Sequence, residues 1–155
     1  MSINTKHPSI VHVDSLPARV AGGNYVLWRQ VGSLLYVSGQ TSTQPGRESI
    51  VGQVGQDLSV EQGYQGAQVC MENILLVVRM AVAGDWTKVV SCVRLTGYVN
   101  AQAPFPDSPK VINGASDLVL EIMGDAGRHA RSAVGVAALP GNAAVEVEAI
   151  FELRE

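Results

Sequence analysis

Val145–Leu153 alternates without a break: Val145, Val147, Ala149, Phe151 and Leu153 fall on one side, and Glu146, Glu148, Ile150 and Glu152 on the other. Successive side chains of a strand point to opposite faces, so this period of two predicts a half-buried β-strand. Its apolar row needs a layer of helices or a second sheet beneath it. Its carboxylate row faces outward, toward solvent or a neighbouring subunit.

Just upstream, Arg131–Leu139 reads as a second strand of small apolar residues opening on an arginine, with Pro140–Ala143 as a tight turn between the two. The pair predicts a closing hairpin. If Leu139 pairs with Ala144, then Arg131 faces Glu152 and Glu146 faces Ala137. Six residues at roughly 3.3 Å each then separate Arg131 from Glu146 by about 20 Å within one chain. Two readings of Arg131 stay open: an ion pair with a glutamate of its own hairpin, or a guanidinium that grips a substrate carboxylate through two parallel hydrogen bonds. If Arg131 and Glu146 serve one site, they come from different subunits. An alternating glutamate row is ordinarily a solvated face. At a dry interface, however, the Glu146 pKa would rise until the group could exchange protons near neutrality.

Charged residues make up only 16% of the 155 positions and hydrophobic ones 46%. The charged share lies below the roughly 25% usual for soluble domains, which points to surface hidden in an oligomer. The length suits a single domain over residues 1–155. A net charge of −3 and a pI near 5.6 argue against a nucleic-acid partner. No apolar run approaches the roughly 20 residues of a membrane span, and the N-terminus lacks the apolar core of a signal peptide, so a cytoplasmic location is expected. Cys70 and Cys92 lack metal or redox spacing and read as reduced core residues. His7, His12 and His129 show no ligand spacing, so no metal is expected.

Two long helices are predicted. Ser59-Val-Glu-Gln62 is a capping-box pattern, with helical spacing of apolar residues from Val60 to Ala81 behind it and Gly84 as a stop. The second begins near Asp107-Ser108-Pro109 and ends at Gly124, with Val111, Ala115, Leu118, Val119 and Ile122 as its stripe. Gly114 within it either permits close packing or is a tolerated defect. Further strands are expected at Ile10–Val13, Tyr25–Trp28, Leu34–Ser38 and Val89–Val99, and a long loop at Thr41–Leu58. This order suits an α+β domain with both helices on one face of the sheet. Ser38-Gly39 ends a strand and reads as a turn or as a place where a ligand approaches the main chain. His129, two residues before Arg131, either lines the same pocket or is structural.

At these residues the sequence resembles the YjgF/RidA (reactive intermediate imine deaminase) family, in a divergent branch of it. The family's C-terminal signature is matched by Arg131-Ser-Ala-Val-Gly-Val-Ala-Ala-Leu-Pro140 and by Val145-Glu-Val-Glu-Ala-Ile150, and its N-terminal pattern by Tyr25, Gly32 and Ser38-Gly39-Gln40. Val111-Ile112-Asn113 stands where the family has a Val-Asn helix element. The resemblance implies a chorismate-mutase-like subunit, with a mixed β-sheet and two helices packed on one face, a homotrimer with clefts between subunits, and no cofactor. By analogy, Arg131 binds the carboxylate of a 2-imino or 2-aminoalkenoic acid and Glu146 activates water. Tyr25, Ser38, Gly39, Asn113 and Ala133 would line the pocket, and a 2-oxo acid and ammonia would leave. The chain departs from the best-known deaminases at Ala133, where many carry Cys, and in the Thr41–Leu58 and Tyr98–Pro109 connections. A non-catalytic trimer that binds small carboxylates is the competing expectation. The ribonuclease activity attached by name to some relatives is disfavoured by the acidic pI.

Overall fold

Pro8 and His7 decide the first element against the strand expected at Ile10–Val13. In the computed structural model, which describes residues 3–154, α1 spans Pro8–Ser15. Proline suits the first turn of a helix, and His7 Nδ1 accepts the Ser9 N–H at 3.2 Å as its cap. The buried residues are Ile10 and Val13, three apart, which is a helical spacing.

The strands are β1 (Trp28–Val31), β2 (Leu34–Thr41), β3 (Val89–Asn100), β4 (Ala130–Val136) and β5 (Val145–Leu153). Between them run α2 (Val60–Ala81) and α3 (Ser108–Met123). The predicted capping box forms: Ser59 Oγ accepts the Gln62 N–H at 3.1 Å, while Gln62 Oε1 accepts the Ser59 N–H at 2.9 Å. The strand expected at Tyr25–Trp28 lies three residues later, because Gly32 (φ +57°) and Ser33 make the turn and Val31 pairs with Leu34. Tyr25 is therefore outside the sheet.

The sheet order is β1-β2-β5-β3-β4, antiparallel throughout except for parallel β3 and β4. The expected hairpin between the last two strands does not form. α3 carries the chain from β3 to β4 as a parallel crossover. After Val136 the chain crosses the end of the sheet and inserts β5 between β2 and β3. Burial explains the choice. All five residues of the apolar row of β5 (Val145, Val147, Ala149, Phe151 and Leu153) are buried, which suits the middle strand, whereas β4 exposes Ala130, Val134 and Gly135 and suits an edge. Fully burying residues such as Phe151, Leu95 and Leu35 contributes about 1.5–3 kcal/mol each.

α2 and α3 cover one sheet face, as expected for an α+β domain, and among the described residues the other face carries no helix. Gly114 resolves toward close packing: a Cβ there would stand 2.9 Å from the carbonyl carbon of Tyr64 and 3.1 Å from Ala67 Cβ, both on α2. Thr41 closes β2, and beyond it the expected loop to Leu58 has, among the described residues, only isolated bridges, at Val51–Ala143, Val54–Leu58 and Val54–Ala101. Polar side chains tie it down. Asn73 Nδ2 donates to the Thr41 and Thr43 carbonyls at 3.0 and 2.9 Å, and the buried Ser42 hydroxyl accepts the N–H groups of Ala144 and Val145. Among the described residues, no helix is long and apolar enough to cross a membrane.

Candidate functional site

Register fixes where Arg131 and Glu146 stand. Arg131 pairs with Leu95, and Leu95 with Ala149, while Glu146 pairs with Tyr98. Two strand spacings across and three residues along put the two backbones about 14 Å apart, against the 20 Å of the hairpin register. An odd offset also sends their side chains to opposite faces. Arg131 does not face Glu152, whose carboxylate instead accepts the Ser91 hydroxyl at 3.0 Å. Six of the seven residues singled out in the sequence thus divide between the two faces, Arg131, Asn113 and Ala133 on the helix side and Ser38, Gly39 and Glu146 on the other, while Tyr25 lies outside the sheet.

The cationic cluster lies where edge strand β4 meets α3. Arg131 Nη1 donates to Asn113 Oδ1 at 2.8 Å and to Ser116 Oγ at 3.2 Å, and Nη2 donates to the Pro109 carbonyl at 3.3 Å. All three acceptors are neutral, and Arg131 makes no salt bridge among the described residues. A guanidinium carries five N–H donors, so Nε–H and one hydrogen on Nη2 remain unspent, along the edge a carboxylate grips bidentately. Ala133, two residues on along the same face, is half-buried against the core.

The anionic cluster lies on the helix-free face around a β-bulge. Val37 pairs with Ala149 and Gln40 with Val147, which leaves Ser38 and Gly39 opposite Glu148 alone. The Glu146 side chain passes over Gly39: a Cβ there would stand 3.0 Å from Glu146 Cδ and would overlap Oε1. Glycine is needed for space. Burial pushes the Glu146 carboxyl above its ordinary value, and the charge of Glu148 adds to the shift. Tyr98 Oη donates to Glu148 Oε1 at 3.5 Å, and its own pKa is raised by burial first and then by Glu148. Ser38 stitches the Tyr25 segment to this cluster: its N–H donates to the Leu27 carbonyl at 2.9 Å and its hydroxyl to the Val26 carbonyl at 2.7 Å. Tyr25 beside them is 52% exposed, with its hydroxyl 3.3 Å from the Gly22 nitrogen, from which it accepts.

Ser116 is the site residue that sequence reasoning missed. Its signal was a polar residue three positions after Asn113, hence on the same edge of α3. It also joins Arg131 to His129, whose Nε2 lies 2.9 Å from Ser116 Oγ. Among the described residues, no three His, Cys, Asp or Glu side chains cluster as a metal site requires. Cys70 and Cys92 are free and buried, and burial pushes the Cys92 thiol up to about 12.

The model of the YjgF/chorismate mutase-like, putative endoribonuclease family matches residues 11–153. Protein TCP17 of Trypanosoma cruzi is 42% identical over 140 residues, which cover 89% of this chain and 87% of that protein. The crystal structure of Atu1372, a protein of unknown function from Agrobacterium tumefaciens, superposes with a TM-score of 0.81 at 44% identity, over 84% of this chain and 83% of that one. The crystal structure of Escherichia coli TdcF with bound serine superposes with a TM-score of 0.61 at 25% identity, over 89% and 94%. The C-terminal signature, the two-helix mixed sheet and the match over nearly the whole length agree: this chain belongs to the YjgF/chorismate mutase-like family.

Proposed function

We propose that the protein is a deaminase that hydrolyses small 2-imino or 2-aminoalkenoic acids to 2-oxo acids and ammonia. The observation that carries this reading is Arg131. Its guanidinium is oriented by three neutral oxygens, lacks a carboxylate partner among the described residues, and keeps two donors free. A substrate carboxylate supplies the missing charge. TdcF, with its bound serine, is a relative that holds a molecule of this size and carboxylate chemistry.

The clusters lie on opposite faces of one chain, too far apart for a substrate of a few carbons to span. We therefore infer a homotrimer in which Arg131, Asn113 and Ala133 of one subunit meet Tyr25, Ser38, Gly39 and Glu146 of the next. The helix-free sheet face, with its glutamate row, is the surface such an assembly would cover. The same reading makes this a cytoplasmic enzyme that needs no cofactor.

The chemistry asks little of the protein. An enamine first takes a proton at carbon to become the iminium, whose C2 is already electrophilic. Arg131 fixes the carboxylate and so orients C2, converting an encounter into a positioned reaction. Glu146, its carboxyl raised by burial, accepts a proton from water as the oxygen bonds to C2 and the C=N electron pair moves to nitrogen. It then returns a proton to nitrogen. In the collapse of the carbinolamine the hydroxyl proton passes back to Glu146, the O–H pair becomes the second bond of the 2-oxo group, and the C–N bond breaks so that ammonia leaves with that bond's pair. Water adds once, and no electrons are gained or lost.

The test is to generate 2-aminoacrylate in situ by β-elimination and follow its decay. Wild type should accelerate hydrolysis, Arg131→Ala should abolish the acceleration by weakening substrate binding, and Glu146→Gln should bind a carboxylate but turn over slowly. No acceleration across several enamines refutes the deaminase reading. Retained carboxylate binding in that case would leave a binding protein.

A further inference from the structure

Resting on the reading of Arg131 as the carboxylate anchor, we propose that His129 and Ser116 are positioning residues that set the guanidinium for substrate through a directed hydrogen-bond chain. Its direction follows from the groups present. His129 Nδ1 lies 2.7 Å from the Gly127 carbonyl, which can only accept, so Nδ1 carries the ring proton. In the neutral ring Nε2 is then an acceptor, and the Ser116 hydroxyl, 2.9 Å away, is the donor to it. With its hydrogen committed to His129, Ser116 Oγ presents lone pairs to Arg131 Nη1 at 3.2 Å. Without His129 the hydroxyl is free to rotate, and its hydrogen competes with the guanidinium for the same space.

The far end of the chain is fixed by packing. Gly127 lies against α3 so closely that a Cβ would stand 2.6 Å from the Val119 carbonyl oxygen and 3.0 Å from its carbon. The carbonyl that sets the His129 tautomer is thus anchored to the helix that carries Asn113 and Ser116. All the groups that orient Arg131 move as one body with α3. The arrangement leaves the Nε–H and Nη2–H edge for the ligand and forbids Arg131 the alternative of turning that edge inward.

The probe is 2-oxobutanoate, with its methyl ester as the uncharged control, titrated into the full chain in its native assembly. His129→Ala and Ser116→Ala should each weaken 2-oxobutanoate about tenfold, the usual worth of one hydrogen bond to a charged group, and leave the ester unchanged. In turnover the loss should appear in KM, with kcat preserved. His129→Gln, whose amide oxygen can accept from Ser116, should recover most of the affinity. In an Arg131→Ala background neither substitution should have further effect. Wild-type affinity in folded His129→Ala, or an equal loss in the Arg131→Ala background, overturns the relay. If His129→Ala does not fold, Ser116→Ala and His129→Gln decide the matter by the same comparisons. If Arg131→Ala itself binds 2-oxobutanoate normally, the anchor reading fails first, and the relay falls with it.

Discussion

Replacing Gly114 by alanine tests whether the contact between α2 and α3 carries the geometry of the site. The new methyl would stand 2.9 Å from the Tyr64 carbonyl carbon and 3.1 Å from Ala67 Cβ, and would overlap the Tyr64 carbonyl oxygen. Backbone cannot rotate aside as a side-chain end can, so the helices must separate by roughly an ångström. Overpacking of this kind costs about 1–3 kcal/mol, and a clash with backbone belongs at the upper end. Alanine returns about 1 kcal/mol through its helix propensity. The net loss is about 2 kcal/mol, which in a domain of this size lowers Tm by about 4–8 °C. Thermal unfolding at fixed protein concentration measures it, since assembly also contributes to stability. Asn113 and Ser116 flank the substituted position, so carboxylate affinity should fall with the same substitution. A Gly114→Ala protein as stable as wild type, or more stable, would refute the reasoning, because it would mean that the propensity gain is unopposed.

Three further outcomes are expected. The folded chain binds the Glu146 proton more tightly than the unfolded chain does, so stability falls as pH rises from the ordinary glutamate range through the raised value. Glu146→Gln removes that slope: it should raise Tm near neutrality and leave it unchanged at about pH 4, and an identical shift at both pH values would contradict the burial argument. Gly39→Ala puts a methyl 3.0 Å from Glu146 Cδ; it should displace the carboxylate and slow hydrolysis about a hundredfold, with carboxylate affinity retained, as steady-state kinetics beside a binding titration would reveal. Arg131→Lys keeps the charge but loses the planar fork, so 2-oxobutanoate should bind about tenfold more weakly; unchanged affinity would argue against a bidentate grip.

The parts legible in the sequence were those written in local spacing. The capping box at Ser59, the stripe from Val111 to Ile122 and the alternation of Val145–Leu153 each involve residues within a few positions of one another, and each formed as read. The C-terminal signature carried the family, and the order of helices and strands carried the α+β class. Ile10–Val13 misled because four residues are too few to separate a period of two from one of 3.6, and the deciding marks, Pro8 and His7, stood outside the run.

Strand order was not local. A Pro-Gly-Asn turn between two strand-like segments is as compatible with a hairpin as with a chain that crosses the sheet end and returns elsewhere. The tertiary structure chose the latter, because β5 can bury its whole apolar row only between β2 and β3, and α3 leads β4 back parallel to β3. That choice put Arg131 against Asn113 and Ser116 and sent Glu146 to the opposite face over Gly39. The sequence by itself determined the two long helices, the strongly alternating last strand and which residues carry charge. Which of those residues face one another depended on burial summed over the whole sheet, a quantity that no short window of sequence contains.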